Sequence, residues 1–137
     1  KIRFETLYQN APVMMQELDG RGRILSANKC WLDTMELTEN EVIGQHIFRF
    51  LDQTSKYYAK AAISDLRRYG SVKNIQCRYQ TPAHTIVDVV VSASMNVADR
   101  DNSVRVLLVS NELQAHHDLG STLPAKIRAN RCEYISS

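Results

Sequence analysis

The chain has 137 residues, 44% of them apolar and 23% charged, with a formal net charge of +2. That describes one ordinary globular domain with enough chain for a core, and a charge balance too even to mark a nucleic-acid binder. No apolar run reaches the roughly 18–20 residues of a membrane span, so direct membrane insertion is not expected either.

The N-terminus carries no signal-peptide pattern. Because the sequence opens on Lys1 rather than Met, further segments are expected beyond it. The cysteines, Cys30, Cys77 and Cys132, are odd in number and far apart. They suggest no disulfide framework and fit a reducing, cytoplasmic setting. None of His46, His84, His116 and His117 pairs with a cysteine at zinc spacing, so no metal site is expected.

In chain order, FETLYQNAP places Phe4, Leu7, Tyr8 and Ala11 at helical spacing and stops at Pro12, predicting a helix over about 3–10. VMMQEL predicts a strand, DGRG a hairpin turn and RILSA the returning strand. In NKCWLDTMEL, Trp31, Leu32 and Met35 share a helical face, with Ser26 or Asn28 as its cap. Thr38 and Glu41 have capping-box spacing, and Gly44 supplies a left-handed stop.

DQTSKYYAKAAISDLRRYG predicts the longest helix, capped by Asp52 or Thr54 and ended by Gly70. Its expected apolar stripe is Tyr58, Ala62, Leu66 and Tyr69, flanked by Ala59 and Ile63, with Arg67 and Arg68 in the last turn. The period then becomes two. SVKNIQCRY, TIVDVVVSASMNV and SVRVLLVSN read as three strands joined by TPAH and ADRDN. On the second of these, Val87, Val89, Val91, Ala93, Met95 and Val97 share a face. ELQAHHDL reads as a short helix leaving the domain, broken by Gly120 and Pro124.

The expected fold class is therefore α+β: a five-stranded antiparallel sheet with short helices and one longer helix packed on one face. Residues 1–113 form the domain. Residues 114–137 read as an extension towards an effector domain.

This order of elements resembles a PAS domain. The resemblance is carried by Asp19-Gly20, the strand Arg23–Ala27, Asn28, Trp31, and Glu41 with Gly44, and extends over roughly residues 4–113. Asp19, Gly20, Asn28, Glu41 and Gly44 read as fold-specifying residues. The sequence also departs from the family pattern. Glu36-Leu37 stands where Gly-Tyr is common, and QTPAH replaces a Lys-Asp-Gly-like turn. Glu41 thus lacks its usual basic partner, with His84 as a substitute, and Ser110-Asn111-Glu112 replaces the Asp-Ile-Thr-like exit motif.

The resemblance implies a sensory or regulatory module that binds a small ligand or partner and acts on an effector domain. A ligand would lie between the sheet and the short helices. The residues expected there are Met14 or Met15, Trp31, Met35, His46, Phe48, Tyr58, Ala62, Ile63, Val91, Ala93 and Met95. The alternative reading is a dimerisation scaffold in which these residues fill a core. A homodimer through Phe4, Leu7 and Tyr8 of the first helix, or through the sheet face, suits either reading.

No cofactor is the leading expectation. A cysteinyl-flavin adduct is excluded because Phe48 stands where the thiol is required. Haem lacks an axial histidine within 53–69. A non-covalent flavin stays open, with Trp31 to stack on it and Asn28 or Gln76 to bind its edge. No catalytic constellation is present. The one enzyme reading would pair Glu17 with His46 in a pocket.

Overall fold

A computed structural model describes residues 2–97 and 101–113. Helix α1 (Ile2–Asn10) leads into strands β1 (Met14–Asp19) and β2 (Ile24–Ala27). Helices α2 (Lys29–Met35) and α3 (Glu39–Val42), a 3-10 turn (Ile47–Phe50) and the long helix α4 (Gln53–Tyr69) follow. Strands β3 (Ser71–Gln80), β4 (Ile86–Val97) and β5 (Val104–Glu112) complete the fold. The sheet order is β2-β1-β5-β4-β3, antiparallel throughout. The expected five-stranded α+β architecture is the one observed. The short helix read in ELQAHHDL lies outside the described residues, as does the 114–137 extension.

Strand alternation sorts the sheet into two faces. Met14, Gln16 and Leu18 of β1, Val87, Val89, Val91 and Ala93 of β4, and Val106, Leu108 and Ser110 of β5 are buried on the helix-covered face. Val97 continues the pattern but is exposed at the strand's end.

Asn28 ties the N-terminal half together. It caps α2, its side-chain oxygen accepting from the Trp31 N–H at 3.0 Å and from the Met15 N–H at 3.0 Å. Its amide donates to the carbonyls of Tyr8 and Val13, both at 2.9 Å. Four backbone groups, from α1, Val13 before β1, β1 and α2, therefore meet on one fully buried carboxamide. Asp52, not Thr54, caps α4 through the Ser55 N–H at 2.8 Å. The Ser55 hydroxyl in turn accepts from the Arg78 N–H at 2.7 Å, pinning β3 to the start of the helix.

One sequence expectation is corrected, the inner face of α4. In the hairpin turn the left-handed residue is Gly22 (φ 85°). Asp19 shapes the turn by accepting from the Arg21 and Arg23 N–H groups at 2.8 and 3.0 Å. Gly20 instead permits close approach to β5, since a Cβ there would meet Val104 at 3.2 Å. On α4 the inward face runs through Ser55, Ala59, Ala62, Ile63 and Leu66, while Tyr57, Tyr58 and Tyr69 point outward. The hydroxyls of the tyrosines favour the wet face, and small residues let the helix lie close to the sheet.

Candidate functional site

A cavity of about 560 Å³ lies between the sheet and α4. That volume falls within the usual range for small-molecule sites, about 300–1,000 Å³. Its inner wall is aliphatic: Leu18 from β1, Val91 and Ala93 from β4, Val106 and Leu108 from β5, and Leu51 and Leu66 from the helical side. Its mouth is framed by Asp19–Gly22, by His46–Phe48 and by Lys60 and Arg67 of α4.

The mouth is fastened by backbone bonds. The Ile47 N–H donates to the Gly22 carbonyl at 2.9 Å, and Arg23 and His46 form an isolated antiparallel bridge. His46 caps the 3-10 turn, its Nδ1 accepting from the Phe48 N–H at 3.1 Å. The opposite ring nitrogen, Nε2, lies against Gly22. The Phe48 ring meets the imidazole edge-on at 4.9 Å between centroids.

Of the sequence-derived pocket residues, His46, Phe48, Ala62, Ile63, Val91, Ala93 and Met95 line this cavity. Met14, Met15, Trp31, Met35 and Tyr58 do not. Met15 falls on the other side of the strand from buried Met14 and Gln16. Trp31 is 0% exposed and packs edge-on against Phe50 and Tyr79, at 5.5 and 5.9 Å between centroids. Tyr79 lines the cavity, so Trp31 stands one layer behind it. Met35 is likewise in the closed core. Tyr58 is 56% exposed and leans on Tyr57.

Several lining residues were not singled out from sequence: Arg21, Gly22, Lys60, Arg67, Cys77, Tyr79 and the β5 valines. Of these, the β5 residues were recoverable from their period-two pattern. Arg21, Lys60 and Arg67 read in sequence as surface charges, because nothing local shows that they rim a cavity.

Burial dominates the chemistry inside. It pushes the Tyr79 phenol up to about 12, against the opposing effect of the Ser110 hydroxyl at 2.8 Å. Burial also raises the Cys77 thiol, helped by the negative charge of Asp52. Both groups are therefore neutral near pH 7 and neither is a nucleophile. Cys77 is a free thiol.

The fold-specifying set behaves unevenly. Asn28 and Gly44 (φ 88°) hold turns as expected, and Glu41 closes the capping box by accepting from the Thr38 N–H at 2.8 Å. The expected reach of Glu41 to the β3–β4 turn, with His84 as partner, is replaced. Glu36 makes that link, accepting from the Thr85 hydroxyl at 3.1 Å.

Flavin and haem were tested against these residues. Trp31 and Asn28 are sealed in the core with their roles taken, and Gln76 is exposed on β3, so the groups named for flavin do not face the cavity. The α4 lining of Ala59, Lys60, Ala62, Ile63, Leu66 and Arg67 offers no axial iron ligand, and His46 Nδ1 is engaged. The residues named from sequence for flavin therefore do not meet it at the cavity, and α4 carries no histidine towards it. Glu17 sits on the solvent face of β1, 3.9 Å from Arg105, and does not converge with His46 on the cavity, so the enzyme reading fails. Among the described residues no group of His, Cys, Asp and Glu is placed to hold a metal, and no helix is long and apolar enough to cross a membrane.

A family model described as PAS fold matches residues 2–111. No curated protein matches the chain. Among solved structures, the PAS domain of an HTR-like protein from Haloarcula marismortui superposes with a TM-score of 0.68 at 23% identity, covering 82% of this chain and 90% of that one. A PAS domain from a two-component sensor histidine kinase gives 0.67 at 14% identity, covering 81% and 96%. The PAS domain of nitrogen regulation protein NR(II) from Vibrio parahaemolyticus gives 0.63 at 13%, covering 79% and 95%.

Proposed function

The chain belongs to the PAS-fold family, and from that premise we propose that it is the sensory or regulatory module of a signalling protein. It takes a small molecule into the cavity and passes the change to an effector domain elsewhere in the full-length protein. The observation that carries this reading is the cavity itself. Packed interiors leave few voids larger than a water molecule, whereas here about 560 Å³ stays open beside α4. Its position also suits coupling. Strand β5 lines the cavity through Val104, Val106 and Leu108 and then leads out of the domain at Glu112. A ligand that favours one of two β5 arrangements would shift the equilibrium between them.

Native mass spectrometry of the purified protein, followed by a thermal-shift screen of small organic molecules, tests the reading. Binding that Val91→Phe or Ala62→Phe abolishes, in variants that still fold, supports it. A protein that binds nothing in both assays and melts unchanged overturns it.

A second reading has its own observation. Phe4 and Leu7 of α1 are each 63% exposed, while Tyr8 of the same helix is anchored by a 2.7 Å bond to the Ser26 hydroxyl. A fixed helix with an uncovered apolar face suits self-association. Dimerisation is compatible with ligand sensing in one molecule.

A further inference from the structure

We propose that the cavity takes a single-chain amphiphile with an apolar body and one anionic head, a carboxylate or a phosphate, held at the mouth by Arg21, Lys60 and Arg67. This rests on the reading that the cavity holds a ligand, and it names the class. The inner walls are aliphatic and their buried polar groups, Tyr79 and Cys77, are neutral, so nothing inside balances a charge. The charge is at the opening. Arg21 comes from the hairpin turn, Lys60 and Arg67 come from α4, and all three are exposed. Lys60 and Arg67 are seven residues apart, two helical turns, which puts them on one face about 10 Å apart along the axis.

Among the described residues that line the cavity, one acid, Asp19, stands against these three cations. Its Oδ1 accepts from the Arg21 and Arg23 N–H groups, and these bonds together with the charges of Arg23 and Arg21 hold the carboxyl below its ordinary value, so the three cations keep an excess of two positive charges over it. Arg21, Lys60 and Arg67 form no ion pair among the described residues. The two ion pairs found there, Arg78–Asp88 and Glu17–Arg105, lie elsewhere. Unpaired positive charge around an apolar opening attracts an anionic head and disfavours a cationic one. A neutral apolar ligand would need no such rim.

Three probes of equal chain length separate these cases: laurate, dodecanol and dodecyltrimethylammonium, each below its micelle concentration, titrated calorimetrically at low and high salt. The expected order of affinity is laurate, then dodecanol, then the ammonium, with the gap narrowing as salt rises. Exposed ion pairs are each worth about 1.4- to 5-fold. The double variant K60E/R67E should therefore weaken laurate by at least about two- to thirty-fold and leave dodecanol unchanged. Both substitutions are on the exposed side of a helix, and a matching melting temperature shows that the variant folds.

Equal affinity for all three probes, or a laurate affinity indifferent to the double variant, overturns the proposal and leaves the ligand-binding cavity standing. Binding of none of the three, together with a blank thermal-shift screen, overturns both. Cosedimentation with phosphatidylglycerol vesicles without binding of monomeric laurate overturns the cavity site in favour of a charged surface.

Discussion

His46 lies so close to Gly22 that a methyl group added to the glycine would stand 2.7 Å from the imidazole Nε2. Gly22 also holds φ at 85°, a conformation costly for any residue with a Cβ. Glycine is thus required twice at the cavity mouth, once for the turn and once for the neighbour. Gly22→Ala is expected to destabilise the domain by about 1–3 kcal/mol and to push His46 off the Phe48 N–H. A denaturant melt reads the first effect, and a shift in the His46 ring resonances reads the second. An unchanged His46 environment would contradict the close packing described here.

Asn28 concentrates four hydrogen bonds in a buried side chain, so its removal strands the Met15 and Trp31 N–H groups and the Val13 carbonyl at once, while the Tyr8 carbonyl keeps the Ala11 N–H at 3.4 Å. Unpaired buried groups cost about 1–3 kcal/mol each, and water entering the vacated space will satisfy some of them. Asn28→Ala is expected to lose about 3–5 kcal/mol, enough to unfold a marginal domain. Asn28→Ser, which keeps only the helix cap, should fall in between. Urea melts of both variants check the order, and a loss under 1 kcal/mol for alanine would refute the account.

Gln16 presents the opposite case. It is fully buried on β1, and neither polar atom of its amide has a hydrogen-bond partner among the described residues. It pairs across to Leu108 on β5 and sits beside Leu18, both of which line the cavity. Exchanging the amide for a thioether of similar shape removes a desolvation cost without opening a hole. Gln16→Met should therefore stabilise the fold by about 1–2 kcal/mol, raising the melting temperature by about 3–8 °C. A lower melting temperature would show that the amide is satisfied by bound water.

Period and punctuation made most of this architecture legible. The hairpin, the Asn28 cap, the capping box at Thr38 and the period-two strands all rest on local rules, and local rules are what a sequence displays. The misreadings share a different cause. Tyr58 and Tyr69 stand at helical spacing with Ala62 and Leu66, yet Ser55 and Ala59 take the inner face because the helix start is pinned through Ser55 to Arg78. The PAS resemblance implies Trp31 at the ligand, yet Phe50 and Tyr79 close around it from segments distant in sequence. Lys60 and Arg67 show only as a solvated face until the hairpin turn is brought opposite them. What depends on one segment was readable, and what depends on two meeting was not.

Tyr8 and Tyr79 set the alkaline limit. Burial raises each phenol from its ordinary 10.0 to about 12, with the hydroxyls of Ser26 and Ser110 respectively pulling the other way. A raised folded-state value means that the native protein holds these protons more tightly than the unfolded chain. Their stabilisation is complete below about pH 10 and is lost as pH climbs towards 12. Stability measured by denaturant melts should decline over that window, and Tyr79→Phe should shallow the slope. A flat profile up to pH 12 would rule out this linkage.

Leu7 tests the association surface with little risk to the fold. It is 63% exposed on α1, whereas the helix is held by Tyr8 and by the Asn28 amide bonded to the Tyr8 carbonyl. Leu7→Asp therefore removes an apolar contact from the surface and nothing from the core. If α1 is the self-association face, the wild type should sediment as a concentration-dependent dimer and the variant as a monomer, with melting temperatures that agree at low concentration. Burying a pair of leucines contributes about 1.5–3 kcal/mol per side chain, so the dissociation constant should rise by at least about tenfold. A wild type that stays monomeric across the concentration range, or a variant that dimerises as well as the wild type, would move the interface elsewhere. Ligand binding by the monomeric variant should be unchanged, since no residue of α1 lines the cavity.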